Sequence, residues 1–196
     1  MDRTELDDAV VRAALAGDTL AFEKAYRDIQ PRLLRYLQTL VGQDAPDVAA
    51  ETWLQVTRDL HRFRGGAPDV RGWVVTIGRH RALDHLRALG RRPSAPRDPA
   101  QLPEPRPAAG AQDAAEGAEQ AIGTRRALDL IARLPPEQAE AVLLTVVVGL
   151  DGPRAARVLG RRPGAVRMAT SRGLATLREL AGTDRVTLTA PPALKG

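Results

Sequence analysis

Apolar residues recur along this chain at steps of three and four, and the stripes they form predict helices with one buried face. In the first half, Phe22, Tyr26, Ile29, Leu33, Leu37 and Leu40 share such a face, and Pro31 is expected to bend or restart the helix. A second stripe, Ala49, Trp53, Val56, Leu60 and Phe63, leaves Asp47, Glu51, Gln55, Arg58 and Arg62 on the other side. The run Arg64-Gly65-Gly66-Ala67-Pro68-Asp69 reads as a turn. After it, Trp73, Val74, Ile77, Leu83, Leu86 and Leu89 mark a third helix, which Gly90 and Pro93 end. No stretch alternates with a period of two, so the chain reads as all-α.

In the second half, Ile122, Leu128, Ile131 and Leu134 predict one helix, and Pro135-Pro136-Glu137 a sharp restart with Pro136 at a first helical position. Val142, Leu143, Val146 and Val147 bury the next. Asp151 is placed to cap a short helix carrying Ala155, Ala156, Val158 and Leu159, which stops at Gly160. Arg161-Arg162-Pro163-Gly164 turns the chain into a longer helix with Val166, Thr170, Leu174, Leu177 and Leu180 inward. Between the halves, Pro93–Gly117 reads PSAPRDPAQLPEPRPAAGAQDAAEG, with few large apolar residues to bury. Proline fixes φ and disfavours helix at the preceding residue, so this is an extended, Pro/Ala-rich linker. The expected organisation is two small helical domains, 1–90 and 118–182, a linker over 91–117 and a frayed tail over 183–196.

Length supports that division, because 196 residues fit two compact units. With 43% hydrophobic but only 3% aromatic residues, the cores must be built from Leu, Val and Ala. The absence of cysteine removes disulfides, thiolate catalysis and thiolate metal sites. His80 and His85 miss the i,i+4 spacing of paired helical ligands, His61 stands apart, and Gly65-Gly66 lacks the lysine of a phosphate loop. No metal, no cofactor and no catalytic function are therefore expected. Met1–Leu6 lacks the basic-then-apolar order of a signal peptide, and no apolar run reaches the roughly 20 residues of a membrane span. A soluble cytoplasmic protein is expected.

The charge is localised. The chain's net charge is +5, and Asp151–Ala181 alone carries seven arginines (154, 157, 161, 162, 167, 172 and 178) against Asp151 and Glu179. A short helix, a tight glycine-containing turn and a longer helix form the helix-turn-helix pattern, whose second helix can lie in the major groove of duplex DNA. On that helix Arg167, Met168, Ser171 and Arg172 avoid the apolar stripe; with Arg161 and Arg162 at its amino end they can reach base edges and phosphates. The competing reading is a solvated arginine face.

These residues carry a resemblance. The segment LPPEQAEAVLLTVVVGLDGPRAARVLGRRPGAVRMATSRGLATLREL resembles region four of sigma factors of the extracytoplasmic-function (ECF) group. The segments AFEKAYRDIQPRLLRYLQTLVG, DVAAETWLQVTRDLHRFRG and GWVVTIGRHRALDHLR resemble successive helices of sigma region two. The resemblance implies a factor that binds core RNA polymerase and directs promoter-specific initiation. It implies that Asp47, Glu51, Gln55 and Arg58 dock on the clamp helices of the largest polymerase subunit. It implies that Arg64, Arg71, Trp73, Arg79, His80, Asp84 and Arg87 grip the minus-ten element, where strands separate and a base is flipped. Arg161, Arg162, Ala165, Arg167, Met168, Ser171 and Arg172 would read the minus-thirty-five element. The flap of the second-largest subunit and an anti-sigma factor are further implied partners.

The chain departs from the family pattern at four places. His80 stands where asparagine is common, Ala50 where glutamine is usual, Ala165 where threonine is usual, and Gly152-Pro153 replaces a small-polar and acidic helix start. Trp73 is the only strong base-stacking candidate, though a buried anchor for the helix is the favoured reading of it, and Trp53 reads as core. Two other functional classes fit the residues: a one-component helix-turn-helix regulator, and an interaction protein whose basic faces hold an acidic partner.

Overall fold

Aspartates start the first two helices. In the computed structural model, which describes residues 6–91 and 114–189, Asp7 accepts the Val10 amide (2.8 Å) and begins α1 (Asp8–Leu15). Asp18 accepts the amides of Leu20 and Ala21 and begins α2 (Thr19–Val41). Pro31 lies inside α2 without restarting it. Its ring is exposed, while Ile29, Leu33, Tyr36 and Leu37 on the opposite side are all buried, so the packed face holds the helix through the missing hydrogen bond. Helix α3 (Ala45–Asp59) turns Val48, Ala49, Thr52, Trp53 and Val56 inward and ends in a 3-10 turn, Leu60–Arg62. Thr52 is buried, and its hydroxyl is satisfied by donating to the Val48 carbonyl (2.7 Å).

Helix α4 (Ala67–Arg91) begins inside the stretch that reads as a turn. The reason is long-range: the Asp8 carboxylate accepts the Ala67 amide (2.6 Å), capping α4 from α1. A Cβ on Gly66 would sit 2.7 Å from that carboxylate, so the cap requires glycine there. Farther along, a Cβ on Gly78 would come within 2.8 Å of a Leu33 methyl, which marks where α4 crosses closely over α2.

In the second half, α5 (Ala114–Ala132), α6 (Pro136–Val142), a π-helical turn (Leu143–Val147), α7 (Gly152–Leu159) and α8 (Pro163–Thr189) follow in order. Helix α5 begins within the expected linker, at Ala114. The sequence from there, AAEGAEQA, is rich in strong helix formers and contains no proline. Helix α8 continues through residues 183–189 of the expected tail, because no proline or glycine intervenes between Gly182 and Thr189. The rest of the expected linker and tail, 92–113 and 190–196, lies outside the described residues. Among the described residues there is no strand.

The halves pack together. Helix α2 lies against α5 and the π-helical turn, and α4 against α7, so the buried side chains of both halves form one continuous apolar cluster. A Cβ built on Gly72 of α4 comes within 3.9 Å of the Leu150 side chain, and Arg32 donates to the Val148 carbonyl (3.4 Å).

Candidate nucleic-acid interface

The helix-turn-helix is assembled from local signals. The Asp151 carboxylate accepts the Arg154 amide (2.8 Å), fixing the first turn of α7. Gly160 closes the helix at φ 63°, the left-handed conformation that costs glycine least. Pro163 then opens α8, and buried Val166 anchors it. With Val166 and Gly173 turned inward, Arg162, Ala165, Arg167, Met168, Ser171 and Arg172 stand exposed on adjoining rows of the helix and the turn before it. Met168 is 50% exposed, an apolar contact at the centre of a basic face. Arg161 is also exposed but donates to Glu137 (2.7 Å); that hydrogen bond raises the arginine's pKa and lowers the glutamate's.

The residues proposed from sequence for the minus-ten element separate into three groups. His80, Asp84 and Arg87 are exposed on one row of α4, with Arg87 donating to Asp84 (2.8 Å). Arg64 donates to the carbonyls of His61 (2.8 Å) and Phe63 (2.9 Å), and Trp73 tilts against the Phe63 ring at 5.0 Å between centroids; both residues shape the loop before α4. Trp73 is half-buried, an anchor with part of its ring accessible. Arg71 and Arg79 do not join the exposed row. Arg71 forks onto Asp28 of α2 (2.7 and 3.1 Å), and Arg79 onto Glu140 of α6 (3.0 and 3.2 Å). The hydrogen bond to Glu140 raises the Arg79 pKa. The Tyr36 hydroxyl lies buried beside this pair, and burial first, then the charge of Glu140, raises its pKa.

On α3, Asp47, Glu51 and Arg58 are exposed along one row, and Leu54, 57% exposed, stands among them. Gln55 turns toward α4 and accepts two hydrogen bonds from Arg81 (2.9 and 2.6 Å). Trp53 is buried and donates to Gln30 (2.6 Å). Leu54 could have been found from the repeat itself, since it completes the four-three-four spacing Asp47, Glu51, Leu54, Arg58.

A further group lies where α4 meets α7. One oxygen of Asp69 accepts from both Arg154 Nε (3.0 Å) and Arg157 Nη2 (2.8 Å), while Arg154 also pairs with Asp151. Burial pushes the Asp69 carboxyl up, but the hydrogen bonds and charges of the two arginines outweigh it and hold its pKa below the ordinary value. The partners are 85 and 88 positions apart, so no local pattern announces them. Among the described residues, no cluster of three or more histidine or acidic side chains is arranged for a metal, and no helix is long and apolar enough to cross a membrane.

Family models match both halves in order: Sigma-70 region 2 over residues 25–92 and Sigma-70 region 4 over residues 124–177. The ECF RNA polymerase sigma factor SigD of Mycobacterium tuberculosis is 35% identical over 178 residues, spanning 88% of this chain and 82% of that protein. This chain belongs to the ECF sigma factors. ShbA of Streptomyces griseus, another ECF sigma factor, is 32% identical over 189 residues, covering 92% of this chain and 97% of its own. Two solved structures share the fold at 22% identity. CnrH, in complex with the cytosolic domain of CnrY, superposes with a TM-score of 0.62 over 91% of this chain and 98% of that one. RpoE, in complex with the anti-sigma factor NepR from Bartonella quintana, gives 0.59 over 83% and 98%. As an ECF sigma factor the chain directs transcription initiation by RNA polymerase. The one-component regulator is set aside, because the first half is sigma region two and not a sensing or dimerisation unit.

Proposed function

We propose that this sigma factor divides its work among three helical faces and carries no catalytic chemistry of its own. The row Asp47, Glu51, Leu54 and Arg58 docks on the clamp helices of the polymerase's largest subunit, with Gln55 holding α3 to α4 beside it. The loop at Arg64–Trp73 and the row His80, Asp84 and Arg87 take the minus-ten element as its strands part. The face Arg162, Ala165, Arg167, Met168, Ser171 and Arg172 reads the minus-thirty-five duplex, with Arg161 at its edge. Units near 1–90 and 118–182 carry these tasks, joined through the 91–117 stretch. The flap of the second-largest subunit and an anti-sigma factor are its further partners, and it acts in the cytoplasm, where the polymerase is.

The observation that carries this reading is the exposed face of α8 and the turn before it, where Arg162, Ala165, Arg167, Met168, Ser171 and Arg172 stand exposed beside a buried Val166. A band shift on promoter fragments, with and without core polymerase, tests it. The sequence-specific shifted species is expected only with polymerase present, and run-off transcripts should begin at one position. A shift of equal specificity by the chain alone, or transcripts whose start does not depend on it, overturns the reading.

A further inference from the structure

Among the described residues, Asp69 is the only acid lining a cleft between the halves, which Arg62, Arg64, Arg154 and Arg157 line together with the Phe63 and Trp73 rings. Each of those four arginines belongs to an element that the proposed function assigns to DNA or places beside it. Arg154 and Arg157 lie on α7, the helix that crosses the phosphate backbone when a helix-turn-helix docks in the major groove. Both donate to a single Asp69 oxygen, an arrangement that two guanidinium groups also make on a phosphate oxygen.

We infer that Asp69 acts as an intramolecular stand-in for a promoter phosphate, holding the free chain closed with the backbone-binding arginines of α7 occupied. This inference rests on the sigma-factor reading of α7 and α8. Three other contacts across the same boundary close in concert with it: the Arg79–Glu140 fork, Arg32 on the Val148 carbonyl, and Gly72 against Leu150. In the closed chain the loop before α4 and the amino end of α7 cover each other. Promoter DNA and Asp69 then compete for the same two arginines, while the α8 face and the row His80, Asp84 and Arg87 stay exposed. The contact is built of charges that are partly open to solvent: Asp69 is 32% exposed and Arg157 69%. It is therefore weak enough to be displaced by salt or by docking on a large partner.

The experiment uses the full chain, wild type against Asp69→Asn, with Glu23→Gln as a control of equal charge change placed outside the contact. Small-angle scattering reports compactness, and fluorescence anisotropy reports binding of the free chain to a promoter duplex at fixed salt. Asp69→Asn is expected to expand the chain and to bind duplex about fivefold more tightly, the effect of releasing two charge-assisted hydrogen bonds discounted for exposure. Glu23→Gln should do neither, and circular dichroism should show the same helix content in all three proteins. If Asp69→Asn stays as compact as wild type, or expands without any gain in duplex affinity, the phosphate stand-in is refuted. Arg154→Ala and Arg157→Ala in polymerase-bound form separate this from the parent reading. Loss of promoter affinity there, with Asp69→Asn inert, leaves the DNA role of α7 standing and removes only the competition.

Discussion

At the scale of single residues, small side chains decide how closely these helices approach. A Cβ on Gly173 would lie 2.7 Å from a Val142 methyl and 3.4 Å from the Gln138 carbonyl oxygen, so α8 rests directly on α6 at that point. Gly173→Leu is expected to cost about 1–3 kcal/mol by overpacking. Urea unfolding should show it as a lower midpoint with unchanged slope. Gly160→Ala is milder, because it places a methyl group in open space but in a left-handed backbone, and about 1 kcal/mol is expected. The second glycine announces itself, since it stands after a short apolar run with arginines beyond it. The first does not, since an interior glycine looks the same whether it faces water or a neighbouring helix.

At the scale of elements, the apolar stripes of α2, α3, α4 and α8 were legible because a half-buried helix must repeat its apolar residues near every 3.6 positions. Helix α1 was not legible: its eight residues carry too little periodicity, and its role, capping α4 through Asp8, depends on a contact 59 positions away. The exposed face of α8 proposed to read DNA was legible as a surface since it is simply the complement of the Val166, Thr170, Leu174 stripe. Gln55 and Arg79 were not, because each sits at the edge of a polar face and is claimed by a neighbouring helix. Different elements should fail in different ways. Arg167→Ala is expected to lower transcription from duplex-dependent promoters, by the ~1–3 kcal/mol of one base contact, while leaving affinity for core polymerase unchanged. Asp47→Lys with Glu51→Lys should do the opposite, abolishing co-purification with polymerase while the circular dichroism spectrum stays helical.

At the scale of the whole molecule, composition foresaw two units, and the amount of contact between them was the surprise. The pairs Arg79–Glu140, Asp69–Arg154 and Asp69–Arg157 join residues 61, 85 and 88 positions apart, and in the sequence such charges are indistinguishable from solvated faces. The pH response of this boundary follows from Asp69, which faces Arg154 and Arg157 of α7 and shares its cleft with Arg62 and Arg64, with Asp151 bound to Arg154 nearby. Its pKa is lowered in the packed chain, so its contribution is complete above the ordinary aspartate value of 3.8 and is lost as pH falls through the lowered one. Scattering should accordingly show constant dimensions around neutral pH, and expansion with added salt in the same range.

Helix α4 runs unbroken for 25 residues, about 37 Å at the usual rise, with Asp69 in its first turn and Arg87 in its last full one. A stiff rod of that length cannot move one end alone. Whatever draws its amino end off α7 also swings His80, Asp84 and Arg87 through an arc, so the proposed unlatching and the aiming of the edge proposed to part the strands would be one mechanical event.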